Sequence, residues 1–196
     1  MSQISKPILG SYAAVALPAG AMAMPIAVYL PPLYGESLGL SLATVGLVFT
    51  LARIWDVVTD PIMGVVIDKY GSRWGQYKHW IAVAIPILML AVYMVFLPSE
   101  DSASALYLGG WLLVLYVAYT ILSIAHQSWG AQLASGYDER SRLYGWREIF
   151  VISGMGLVLA IPVAVEMLGE AALTTKVATM GLFCLILFPL TTIPTL

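Results

Sequence analysis

A chain of 196 residues that is 60% hydrophobic and only 10% charged, with a mean hydropathy of +0.89, falls far below the roughly one-quarter charged content of a soluble domain, so its solvent is lipid. A formal charge of −2 offers no basic footprint and gives nucleic-acid binding no support. The single cysteine, Cys184, lies in an apolar run and excludes an intrachain disulfide.

Six apolar segments, 9–33, 42–67, 80–97, 105–133, 149–168 and 177–193, can each cross a bilayer at about 20 residues apiece. No linker exceeds about 15 residues, so 1–196 reads as a single six-helix membrane domain. No short apolar region with a small-residue cleavage site follows Lys6, and the first helix is expected to stay in the mature protein.

The first segment holds Pro18, Gly20, Pro25 and the pair Pro31-Pro32. Membrane helices tolerate such breakers where neighbours or a wet cavity satisfy the freed backbone, so this helix either bends to line a central cavity or kinks to pack better. The second carries Arg53, Asp56 and Asp60, whose spacings of three and four put them on one face. Two carboxylates four apart repel, and in lipid they demand a counter-ion, a bound cation or a shared proton. A structural Arg53–Asp56 pair is the plainer reading, but one arginine does not neutralise two acids, which favours a cation pathway. After Asp60-Pro61 come Gly64, Asp68, Lys69, Gly71, Arg73 and Gly75, where glycines allow tight turning and charges suit helix ends.

The fourth segment ends in Thr120, Ser123, His126, Gln127, Ser128 and Gln132. Thr120, Ser123 and Gln127 share a stripe that either glues helices together or completes the oxygen shell of a cation. A lone histidine such as His126 reads as packed or interfacial rather than as a ligand. Residues 136–147 read as a charged loop, with Arg147 and Glu148 opening helix five. Arg147 pairs with Glu148 or lipid headgroups, or else offers its fork to a hydroxyl-rich or anionic substrate. Gly154 and Gly156 suggest close helix packing.

Seven of the nine basic residues fall on one side: Lys6, Lys69, Arg73, Lys78, Arg140, Arg142 and Arg147. Glu36, Glu100, Asp101 and Glu170 mark the other, with Glu166 near its interface and Lys176 the exception there. Both termini are therefore expected in the cytoplasm and the protein in the cell (inner or plasma) membrane.

The string R-x-W-D-x3-D-P-I-M-G from Arg53, followed by G-x3-D-K-x-G-x-R-x-G and S-R-W-G-x-x-K-x-W, resembles the glycoside–pentoside–hexuronide:cation symporters of the major facilitator superfamily. The likeness resumes at Y-T-I-L-S in helix four and at D-E-R-S-R. It implies an all-α integral membrane fold, with six transmembrane helices forming the N-terminal half of a twelve-helix transporter. By resemblance, Asp56 and Asp60 bind the coupling cation with Thr120. The family's cation-site asparagine falls on Thr59 and its helix-four carboxylate on Ser123, which puts sodium in doubt against a proton. The sugar-gripping aspartate falls on Gly20 and the stacking tryptophan near Gln127, with Trp129 adjacent, while the family arginine of helix five is matched by Arg147. Gly64, Asp68, Lys69, Gly71, Arg73, Arg140 and Arg142 would form the inner gate.

The function expected is cation-coupled transport of a sugar, glycoside or related small polar solute by alternating access, with Na+ or H+ as coupling ion and no other cofactor. Its partners would be membrane lipid and a second six-helix half, from the same longer chain or a second copy. The rival reading is a non-transporting membrane scaffold or partner subunit derived from such a transporter. A lipid-alcohol transferase would need D-G-x2-A-R between its acids; Asp56 is followed by Val57-Val58, and no Ala-Arg follows Asp60.

Overall fold

The computed structural model describes residues 4–99, 103–134, 136–169 and 172–195. Its six helices long and apolar enough to cross a membrane are α1 (Lys6–Ser37), α2 (Leu42–Lys69), α3 (Lys78–Phe96), α4 (Ala105–Leu133), α5 (Tyr137–Met167) and α6 (Leu173–Thr192). Local chemistry sets several ends. Ser41 Oγ caps α2 by accepting the Thr44 N–H at 3.0 Å, and Ser104 Oγ caps α4 by accepting that of Tyr107 at 3.2 Å. α1 runs through its prolines but loosens into π-turns at Pro25–Tyr29 and Leu33–Ser37. Proline brings no N–H to the ladder, and the wider turn accommodates the loss.

α4 packs along both α2 and α3, α1 lies on α5, and α6 closes the bundle against α1, α3 and α5. Leu30, Leu88, Val92, Leu112, Met180 and Phe188 are fully buried between them. The α1–α5 crossing brings backbone onto backbone. A Cβ on Gly20 would collide with the Val151 carbonyl and sit 2.8 Å from its Cα; one on Gly154 would collide with the Leu17 carbonyl and sit 2.9 Å from Ala21 N. Exchanging α1, α2 and α3 for α4, α5 and α6 turns the α1–α5 pair into α4–α2, and α3–α4 into α6–α1. All four pairs are packed, which is the contact pattern of an inverted three-helix repeat that the residues themselves do not reveal.

The structure corrects the loop expected at 136–147. α5 starts at Tyr137, about three turns before the expected 149, so Arg140, Arg142 and Arg147 are helical. Asp138 and Glu139 suit the positive end of the helix, Leu143 is fully buried with Leu9 and Tyr12, and Arg142 pairs with Glu139 at 3.5 Å. A stretch too polar to cross lipid is still helix where one apolar residue per turn finds a core. A Cβ on Gly156 or on Gly145 would meet nothing within 4 Å, so of the three α5 glycines only Gly154 marks a close approach. Glu166 pairs with Lys176 at 2.6 Å, joining the ends of α5 and α6. Glu100, Asp101 and Glu170 lie outside the described residues.

Candidate functional site

Asp56 and Asp60 stand one turn apart near the middle of α2, and α4 sets the buried Thr120 against them. Thr120 Oγ1 lies 2.8 Å from Asp60 Oδ1 and 3.2 Å from Asp56 Oδ1. A hydroxyl has one hydrogen, so it donates to one carboxylate at a time and keeps lone pairs for a third party. Pro61 removes the N–H that would reach the Val57 carbonyl, leaving another oxygen free of the ladder on the same stretch. On its other side Asp56 Oδ2 lies 3.5 Å from Arg53 Nη1, whose guanidinium sits 4.9 Å over the Tyr116 ring. The Arg53 side chain is 63% exposed and that of Asp56 only 18%.

The cluster therefore holds two carboxylates against one guanidinium, a net charge of −1 with both acids ionised. Among the described residues no group of three or more His, Cys, Asp or Glu converges, so the oxygen set is two carboxylates and a hydroxyl. Such hard oxygens suit an alkali cation or a proton rather than a soft transition metal.

The remaining expected residues are placed elsewhere. Thr59 is buried and turns back on its own helix, its hydroxyl donating to the Asp56 carbonyl at 3.2 Å. Ser123 accepts from Gln127 Nε2 at 2.9 Å rather than reaching the carboxylates. Gln127 is exposed, and its carbonyl accepts from the Tyr144 hydroxyl at 3.0 Å. Gly20 faces α5, not a cavity, because the crossing there has room for no side chain. Trp129 is also packing: it leans on Tyr12 with ring centroids 5.7 Å apart, and Lys78 Nζ lies 5.1 Å over its ring. Beside it His126 stacks on Tyr12 at 4.2 Å; its Nε2 contacts the Tyr12 carbonyl at 2.9 Å, while the Tyr12 hydroxyl donates to the His126 carbonyl at 3.1 Å. His126 is thus a strut between α1 and α4. Arg147 pairs with Glu148, yet its Nε is buried with no acceptor among the described residues.

At the end of α2, Asp68 forms no ion pair with its fellow gate residues Arg73, Arg140 or Arg142 among the described residues. Its carboxylate accepts from the Tyr77 hydroxyl at 3.2 Å and its carbonyl from Gln76 Nε2 at 2.6 Å. Desolvation, then the bond to Asp68, pushes the Tyr77 phenol above its ordinary value, with Ser128 pulling the other way. The turn closes between Ser72 and Gly75, which takes φ +105° and so requires glycine, and Gly71 lies against Gln76 Oε1. Lys69 Nζ sits 5.7 Å over Tyr70, Arg140 Nε donates to the Ala134 carbonyl at 3.2 Å, and a Cβ on Gly64 would meet nothing within 4 Å.

Sequence reasoning missed Tyr116 and Tyr119. Tyr116 and Tyr119 join Arg53 around a cavity of about 130 Å3 between α1, α2 and α4. Tyr119 also walls a much smaller cavity with Ser123 and Arg147. Their position on the Thr120–Ser123 stripe, one turn earlier, was the available signal.

Fold and site define a class: an all-α membrane bundle of six helices, one half of a major facilitator fold, with paired acids opposed by a hydroxyl. Residues 11–196 match the family model for MFS/sugar transport proteins, and the chain belongs to that family, among the glycoside–pentoside–hexuronide:cation symporters. It is similar to the inner membrane symporter YicJ of Escherichia coli K12, at 26% identity over 141 residues, covering 70% of this chain and 31% of the relative. The isoprimeverose transporter of Lactiplantibacillus pentosus is 28% identical over 141 residues, 69% of this chain and 29% of that one. The glucuronide carrier protein homolog of E. coli K12 is 25% identical over 126 residues, 63% and 28% respectively. The chain spans about a third of the length of these curated relatives. A family of transport proteins leaves the transferase reading without support.

Proposed function

We propose that this chain is the ion-binding half of a secondary transporter that couples Na+ or H+ to a sugar, glycoside or related small polar solute. The observation that carries the reading is the convergence of Thr120 on Asp60 and Asp56, at 2.8 and 3.2 Å. A cluster of net charge −1 in lipid is neutralised by one monovalent cation or one proton. Filled and empty states then differ by a whole charge, which biases one bundle arrangement over another. The names of the relatives, one an isoprimeverose transporter and another a glucuronide carrier protein homolog, support a sugar-like solute. Of the expected solute contacts, Arg147 keeps a side that could face one; Gly20 and Trp129, packed between helices, are withdrawn.

The working unit is twelve helices, this half closing its wet face against a second half, from the same longer chain or another copy. The exposed Arg53 and Asp60 support this, since lipid against that face would strand their charge. Lys69, Arg73, Lys78, Arg140, Arg142 and Arg147 support cytoplasmic termini in the cell membrane. The end of α2 from Gly64 and the turn that follows it to Gly75 form the inner gate, latched by Asp68 through Tyr77.

Solute uptake into proteoliposomes, with sodium against choline and across a pH gradient, tests the reading. Asp60→Asn should abolish whichever cation dependence the wild type has. Unchanged dependence in that variant refutes it.

A further inference from the structure

α2 and α4 meet at Thr120 on one side and part on the other. On the far side of α2 from Asp56 and Asp60, Leu51, Trp55 and Val58 share a face by their spacings of four and three. They wall a furrow of about 760 Å3 whose floor is Gly109, Gly110 and Leu113 of α4. Past Trp55 and Leu113 the furrow continues as a narrower cavity of about 260 Å3, reaching Ile87 of α3 and Ile121 of α4. From Ala105 to Ile121 the floor is about 24 Å long, most of a hydrocarbon core of about 30 Å. Apart from the Trp55 indole nitrogen, no side chain lining either part carries a polar atom.

Gly109 and Gly110 do not serve close packing. A Cβ on Gly110 would meet nothing within 4 Å, and one on Gly109 only Val48 Cγ1 at 3.6 Å, unlike the collisions at Gly20 and Gly154. Glycine weakens a helix, and what this pair supplies in exchange is depth. The exchange of α1, α2 and α3 for α4, α5 and α6 also maps α2–α3 onto α5–α6. α5 and α6 close on each other, whereas α2 and α3 each pack on α4 and leave the gap between them open. That gap turns away from Arg53 and Asp60, on the wet face that a second half closes, so bilayer tails lie against it. Tails are as apolar as leucine and gain nothing by leaving lipid for protein. A chain lying in a slot nevertheless touches walls on both sides, and gains dispersion contacts that a smooth helix face does not offer.

We propose that this furrow holds one acyl chain of a membrane phospholipid as a fixed part of the folded bundle. The chain lies against Trp55, the neighbour of Asp56, and braces α2 on α4 from the side opposite Thr120. It fills the space that direct helix packing fills between α5 and α6. Neither the transported solute nor the coupling ion takes part in this site, so it stands or falls apart from the transport reading.

The test adds palmitoyl-oleoyl phosphatidylethanolamine to the full chain purified in dodecyl maltoside, without solute or sodium. Native mass spectrometry counts the lipid retained, and the melting midpoint reports its effect on the fold. The expected result is a single phospholipid that survives detergent washing and raises the midpoint. With bromine on its oleoyl chain, that lipid should quench an indole signal that Trp55→Phe removes. Gly110→Leu, which fills open space, should fold as wild type and bind the lipid about fivefold more weakly or worse, the lower edge of overpacking. Should that variant fail to fold, Leu51→Trp narrows the slot from an exposed position on the opposite wall and carries the same expectation. Leu190→Phe adds bulk to an exposed face of α6 and should retain the lipid in full. A wild type that holds no phospholipid after washing overturns the proposal, as does equal retention by Gly110→Leu and Leu51→Trp. In a Cys184→Ser background, Leu106→Cys chains that cross-link to one another and exclude the lipid would show a second copy covering the furrow, which also overturns it.

Discussion

Replacing Thr120 by Val removes the hydroxyl that opposes the two acids and little else. The residue is 3% exposed, and valine fills nearly the same space, so the loss is of an oxygen rather than of packing. Two contacts go, at 2.8 Å to Asp60 and 3.2 Å to Asp56. A hydrogen bond to a charged group is worth about 1.5–3 kcal/mol net. If that oxygen also touches the cation, affinity should fall by roughly 10- to 150-fold. The assay is the sodium- or proton-dependent rise in melting midpoint of the full chain in detergent, titrated to give an apparent affinity. Thr120→Ser, which keeps the oxygen and sheds only a methyl, should restore most of it. An apparent affinity in Thr120→Val within about twofold of wild type would refute the convergence as a cation site, whatever the fold does.

Gly154→Val should lower the melting midpoint sharply, by the 1–3 kcal/mol or more typical of overpacking, whereas Gly156→Ala should leave it unchanged; equal effects would remove the close crossing as their cause. Tyr77 is held neutral, so its raised folded value contributes stability below its ordinary 10.0 that is lost as pH climbs through that raised value. Tyr77→Phe and Asp68→Asn should therefore flatten the alkaline limb of the stability curve, and a limb of unchanged steepness counts against the latch. Asp68→Asn should fold yet transport poorly, which circular dichroism and uptake on one preparation separate. In a Cys184→Ser background, single cysteines on the exposed faces of α2 and α4 should cross-link to a second half; none at any dilution, in a chain that transports, rules out the twelve-helix unit.

Hydropathy alone reveals six crossings, since lipid imposes one uniform demand on composition. The meeting of Asp56, Asp60 and Thr120 was legible because two acids at one-turn spacing cannot be ignored in lipid, and because the family resemblance pointed to the hydroxyl across from them. What the residues hide is rotation about each helix axis. Gly20, Ser123 and Trp129 lie on the right helices, but the α1–α5 crossing and the Tyr12–His126 stack set which way each faces, and both are long-range packing events. The start of α5 was hidden for the opposite reason. A hydropathy window registers charge, whereas Leu143 needs only a small pocket between Leu9 and Tyr12 to hold its turn.

The glycine crossing has a mechanical consequence. Where main chain rests on main chain there is no rotamer to change, so α1 and α5 cannot slip past one another by small side-chain adjustments. They behave as a welded strut, and a push at one end arrives undiminished at the other. α2 and α4, by contrast, meet at Asp56, Asp60 and Thr120 through side chains that can let go and re-form. Compliance in this bundle is therefore concentrated at the seam where charge is stored, and on the proposed reading an ion lodged there would act as a removable rivet in a joint that is otherwise free to shear.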